Sequence, residues 1–278
     1  MTEPSHVKAE YVAARLARGE RVVRLARILR VLTRTDFKLK YAGSVLGYVW
    51  SVAKPLLYFA VLWVVFENIF RTTIEHFQLY LIVGVVIWTF VADAVTATLP
   101  SIVARGSLLR RIFFPPIVIP VAATLTALLS FGLNLLVVVV FFAFAEVGPG
   151  LGGLVLPLLF IELYLFVLGL SVLAATLYVR FRDVGQIWEV GATMLFFSAP
   201  IVYPVAVLPG WAENAVAFNP MVQVIQDARR VVLGADANAP FLLGSYADRL
   251  VPLGVTVLLL AVGFWLYDQE SPRFAEVA

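Results

Sequence analysis

No cysteine occurs anywhere in the 278 residues, which excludes disulfides and thiolate metal sites. Charge is scarce: 14% of residues are Asp, Glu, Lys or Arg, against 62% hydrophobic, where a soluble domain is nearer about a quarter charged. No Gly-Lys pair occurs, so the chain has no phosphate-binding loop of the kind that ends in Gly-Lys-Ser/Thr. His6 and His76 are the only imidazoles, and no Asp-x-Asp pair offers carboxylates to a metal. The chain is therefore no motor: if it works with ATP, the ATPase is another polypeptide, and no cofactor is expected on this one. Residues 1–30 lack an apolar core beside a small-residue cleavage site and do not read as a signal peptide.

What is present is hydrocarbon. Mean hydropathy is +0.93, and apolar runs near the roughly 20 residues that cross a bilayer recur along the chain. The expected architecture is a single all-α polytopic membrane domain, 1–278, with six spans at about 45–70, 77–99, 116–145, 152–179, 185–207 and 248–267. Pro100 ends the second, Pro115 and Pro116 open the third, and the helix breakers of Glu146-Val-Gly-Pro-Gly separate the third from the fourth.

The net charge of +3 hides an asymmetry: residues 1–54 hold eleven of the 21 Lys and Arg but only four acids. Beside apolar spans such a segment marks the cytosolic side, and no nucleic-acid-binding pattern accompanies it. With the amino terminus inside, 17 of the 21 cations fall on the cytosolic side, so both termini are expected there. Residues up to Gly19 are expected to fray. From Glu20 to Arg34 a helix would place Val22, Leu25, Ala26, Ile28, Leu29 and Leu32 on one arc and Arg24, Arg27, Arg30 and Arg34 opposite, the pattern of a helix lying in the membrane plane. The segment from Lys38 to Pro55 then enters the membrane. Its lysines reach lipid phosphates, Tyr41, Tyr48 and Trp50 suit the interface, and Pro55 is expected to kink the helix.

Two loops stand out. Residues 101–114 form a proline-bracketed, cationic helix candidate ending in Phe113 and Phe114, either an ordinary inside loop or a coupling helix docked on a cytosolic motor. After the fifth expected span, Asn219 can cap a helix with Pro220 in its first turn. That helix, about 220–233, is too polar to span, and reads as a surface-lying hairpin or an outer gate. Lys54, Asp93 and Glu162 are ionisable groups at membrane depth, with a structural, channel-lining or proton-relay role. On the first span, Phe59, Trp63 and Phe66 share one face, while Tyr58 diverges by about 100°.

Taken together, Tyr41…Ser44-x-Leu46-Gly47-x-x-Trp50…Pro55, Arg180-Phe-Arg182-Asp183, Ser198-Ala-Pro200-Ile-Val-Tyr203-Pro204 and Asn219-Pro220 with Arg229 downstream resemble the membrane subunit of ABC type-2 polysaccharide exporters, a family that moves O-antigen, teichoic acid and related glycans. The resemblance implies a homodimer in the bacterial cytoplasmic membrane, with a channel between the copies lined by spans one, two and five. Two copies of a separate cytosolic ATPase would carry ATP and Mg, and the cargo would be a polyprenyl-diphosphate-linked glycan. It assigns the interface helix to 20–34, the coupling helix to 101–114 (Arg105, Arg110, Arg111, Phe113, Phe114), and the extracellular gate to 209–233 (Pro209, Trp211, Asn219, Pro220, Arg229). Sugars would slide over Tyr58, Phe59, Trp63, Phe66, Phe196, Phe197 and Tyr203, with Phe59, Trp63 and Phe66 as the lining stripe. Arg30, Arg34, Lys38 and Lys40 would receive the diphosphate. The alternatives are an exporter of drugs or small lipids, and a membrane-embedded glycan-modifying enzyme.

Overall fold

The computed structural model describes residues 5–69, 74, 76–106, 115–145, 148, 150–234 and 249–274. Every regular element among them is helical: α1 (Ser5–Tyr41), α2 (Val49–Val64, continued by a π-helical turn Val65–Ile69), α3 (Phe77–Thr98), α4 (Ser101–Ala104), α5 (Val118–Phe144), α6 (Leu156–Arg180), α7 (Val184–Ser198), α8 (Gly210–Ala217), α9 (Pro220–Leu233) and α10 (Leu250–Glu270). Five are long and apolar enough to cross a membrane: Val49–Ile69, Phe77–Thr98, Val118–Phe144, Gly152–Arg180 and Leu250–Arg273. Helices satisfy their own backbone polar groups, which hydrocarbon demands of any spanning segment.

The remaining expected span, 185–207, is interrupted. α7 has 15 residues, about 22 Å at 1.5 Å per residue, short of the roughly 30 Å hydrocarbon core. Pro200 is the cause: the ring drives the preceding residue out of the helical region, and Ala199 is extended at φ −80°, ψ 138°. At the other end of the chain, α1 runs from Ser5 straight through Gly19, where fraying was expected, because the Ala, Glu, Arg and Leu around that glycine are strong helix formers. α2 likewise continues through Pro55, which is buried.

α3 is the centre. Leu79 to Trp88 are all buried, with Tyr80, Leu81, Ile82 and Val85 fully enclosed. Its partners are α5, joined through the stacked pair Phe90–Phe131 at 4.6 Å, then α6, α9 and α2. The most extensive helix–helix contact among the described residues is that of α6 with α10, and absent side chains allow it. A Cβ at Gly169 would lie 2.7 Å from the Leu260 nitrogen, and one at Gly263 would lie 2.8 Å from the Gly169 oxygen. With no hydrophobic effect to drive helix association inside hydrocarbon, such close backbone approach supplies the packing. Three helices bury few residues: only Ser51, Pro55 and Phe59 on α2, only Phe196 on α7, and only Pro252, Thr256, Gly263 and Tyr267 on α10. What sets α7 apart is that its outward side carries Gln186, Glu189 and Thr193.

Candidate functional site

Among the described residues, the largest fully buried side chain is a cation. α9 starts at Asn219, whose Oδ1 accepts from the Met221 amide at 3.0 Å, and nearly all its residues from Pro220 to Arg229 are buried. On this helix Val222, Ile225, Arg229 and Val232 follow at three- and four-residue intervals and share one stripe, and Arg229 is fully enclosed. Its Nε donates to the Tyr80 oxygen at 3.0 Å, Nη1 to the Pro200 oxygen and Nη2 to the Ile201 oxygen, both at 2.7 Å. The guanidinium lies over the Tyr80 ring, 3.4 Å from its centroid. Burying a charge is costly unless it is hydrogen-bonded. Here three carbonyls and an aromatic face do that work, and a planar fork meets them better than an ammonium could. Burial lowers the Arg229 pKa to about 10, opposed by Tyr80, so the group stays charged at neutral pH.

That cation ties three elements together. Tyr80 stands on α3, Pro200 and Ile201 on the break after α7, and Arg229 on α9. The Tyr80 hydroxyl donates to the Tyr203 oxygen at 3.0 Å, and the Tyr203 hydroxyl donates to the Phe197 and Ser198 oxygens at 2.8 and 3.1 Å, satisfying carbonyls that a helix end leaves open. Gly84 admits the guanidinium: a Cβ there would sit 2.6 Å from Nη2. Residues 209–233, expected as a surface-lying hairpin or an outer gate, divide into an exposed part and a buried one. α8 stays outside, with Pro209 and Trp211 exposed, while α9 is sunk against α3 and α6.

The aromatic residues divide between two faces. Phe59 is buried edge-on against Phe141 of α5 at 5.4 Å, and Phe66 packs on Phe77 at 6.4 Å. Trp63 is half-buried. Tyr58 points to the other side, where it meets Phe196 at 5.5 Å. Phe196 touches Trp88 of α3 at 5.7 Å and Phe197 at 5.2 Å. Tyr58 and Phe197 are exposed, and so are Ile187, Val190 and Met194 along α7. Gln186, Glu189 and Thr193 share that uncovered side of α7.

At the α1 end, Arg30, Arg34 and Lys38 are exposed along the helix. Lys40 reaches Asp93 of α3 at 3.4 Å and Ser130 of α5 at 3.5 Å, giving Asp93 a partner. Lys54 is exposed. Arg105, just past α4, is paired through Nη2 with Asp36 of α1, so the loop and the long helix are joined. A cleft of about 310 Å³ between them is lined by Asp36, Lys40, Ser101, Arg105 and Thr126. Arg110, Arg111, Phe113 and Phe114 lie outside the described residues.

Two features escape a reading of the sequence alone: the partnership of Tyr80 with Arg229, and that of Asp227 with Arg249 at 2.8 Å. The signal for the first is an arginine on an otherwise apolar stripe. The second joins residues 22 positions apart, and nothing in the sequence pairs them. Burial raises the Asp227 pKa, opposed by Arg249, Gln223 and Arg230.

A family model described as ABC-2 type transporter matches residues 27–233. An O-antigen export system permease protein RfbA of Klebsiella pneumoniae is 29% identical over 251 residues, covering 90% of this chain and 94% of that protein. A second Klebsiella pneumoniae protein of the same name is 28% identical over the same shares, and one from Myxococcus xanthus is 27% identical over 253 residues, 90% of this chain and 94% of its own.

Proposed function

Because the chain belongs to the ABC-2 type transporter family, we propose that it is the transmembrane subunit of an exporter carrying a polyprenyl-diphosphate-linked polysaccharide across the bacterial cytoplasmic membrane. It works as a homodimer with both termini cytosolic, and ATP with Mg is bound and hydrolysed on two copies of a separate ABC ATPase. The glycan cargo is suggested by the relatives named as O-antigen export permeases. The observation that carries the reading is the uncovered face of α2 and α7. Glu189, Gln186 and Thr193 on a bare helix beside membrane spans would be expensive against lipid but suit a second copy or a water-filled path. Tyr58 and Phe197 on the same face offer rings on which sugar C–H faces stack without fixed register. Phe59, Trp63 and Phe66 form the layer behind, bracing α2 on α3 and α5.

The basic α1 face with Arg30, Arg34 and Lys38 receives the diphosphate, Lys40 holds the turn into α2, and 101–114 transmits the ATPase stroke to α1 through Arg105. The test is depletion of the chain in its native host, followed by mass spectrometry of membrane lipids. The expected result is accumulation of a polyprenyl-diphosphate glycan in the cytosolic leaflet. Altered drug resistance with no such accumulation would overturn the cargo in favour of a small-molecule exporter.

A further inference from the structure

A second polar site lies away from the arginine lock and away from the α2/α7 face. A pocket of about 280 Å³ opens between α6, α9 and α10, with Glu162, Gln223, Asp227, Arg249 and Thr256 among its lining residues. Asp227 is already satisfied: Oδ1 accepts from Arg249 at 2.8 Å and Oδ2 from the Gln223 amide nitrogen at 3.3 Å. The pocket's other acceptors are the Glu162 carboxylate, Gln223 Oε1 and Thr256 Oγ. Gln223 and Thr256 are 3% and 2% exposed, yet Gln223 Oε1 and Thr256 Oγ have no hydrogen-bond partner among the described residues. Buried polar atoms are ordinarily paired, and the pocket sets two acids, Glu162 and Asp227, against the single cation Arg249, an imbalance that is costly at membrane depth.

We propose that this pocket binds the primary ammonium headgroup of a membrane phospholipid. An ammonium has three N–H donors and no acceptor, which suits a pocket lined by the Glu162 carboxylate and by the unpaired Gln223 Oε1 and Thr256 Oγ, and its charge offsets the excess of acid over Arg249. The source is a lipid rather than a dissolved amine because the mouth is framed by Leu158, Ile161, Leu253 and Val257. All four are exposed on two membrane spans, so the approach is through hydrocarbon and the fatty chains have a surface to follow.

The test uses the purified full chain in mild detergent, offered equal amounts of phosphatidylethanolamine and phosphatidylcholine of identical chains, with bound lipid read by native mass spectrometry. A trimethylated headgroup has no N–H to donate. The expected result is preference for phosphatidylethanolamine on the order of tenfold, what one charge-assisted hydrogen bond is worth, abolished in Glu162→Gln and reduced in Thr256→Val while both variants remain monodisperse. Equal retention of the two lipids by the unaltered chain, or an undiminished preference in Glu162→Gln, overturns the proposal. Release of bound phosphatidylethanolamine by millimolar ethanolamine would put a soluble amine in the site and overturn the lipid assignment. A loss of dimer in Glu162→Gln, with no bound lipid in the unaltered chain, would put a cation of a second copy there instead.

Discussion

Arg229 serves α3, the break after α7 and α9 at once. Replacing it with lysine keeps the charge but loses the fork, so at least one of the three carbonyls goes unpaired. Arg229→Lys should cost roughly 2 kcal/mol, read as a lower thermal unfolding midpoint in detergent. Gly84→Ala should cost about 1–3 kcal/mol by overpacking, since its Cβ would meet Nη2 at 2.6 Å. The two changes act on one contact, so the double variant should lose less than the sum of the singles; simple additivity would contradict the shared contact. This residue was only half legible in the sequence. Asn219 and Pro220 announce a helix start, and the 222, 225, 229, 232 spacing places the arginine on the buried stripe. That its partners are backbone oxygens from 149, 29 and 28 positions upstream is a tertiary fact no local pattern records.

Among the elements, the spans are the most legible, since hydrophobic runs bounded by prolines determine them. α7 is the exception. Its apolar composition continues through Tyr203, but Pro200 ends the helix, and the backbone groups released there are taken up by Arg229 and Tyr203. The α6–α10 crossing rests on Gly169 and Gly263, so Gly169→Ala should force the helices apart and cost about 1–3 kcal/mol. A midpoint unchanged from that of the unaltered chain would show that the crossing relaxes freely. The Asp36–Arg105 pair joins α1 to the loop after α4, and under the proposed coupling role it would carry motion into the long helix. Arg105→Glu should depress export while leaving membrane insertion intact, and Asp36→Arg with Arg105→Glu should recover part of the export activity. No recovery in the double variant would mean that Arg105 acts on something other than Asp36.

On the scale of the whole molecule, the chain surrounds α3 thoroughly, while α7 turns Gln186, Glu189 and Thr193 outward, the side on which the proposed second copy or water-filled path would lie. Helical periodicity separates Tyr58 from Phe59 on α2, but it does not say which of the two faces inward. The packing of Phe59 on Phe141 does, and it brings Tyr58 beside Phe196 and Phe197. The central claim is that this face is the path of the glycan. It is tested most directly by placing a photo-crosslinking phenylalanine at position 58, with position 257 on the far side of the bundle as control, in a host actively exporting its glycan. The account predicts a glycan adduct at 58 that depends on ATP turnover and is absent at 257. Equal adducts at both positions, or lipid alone at 58, would contradict it.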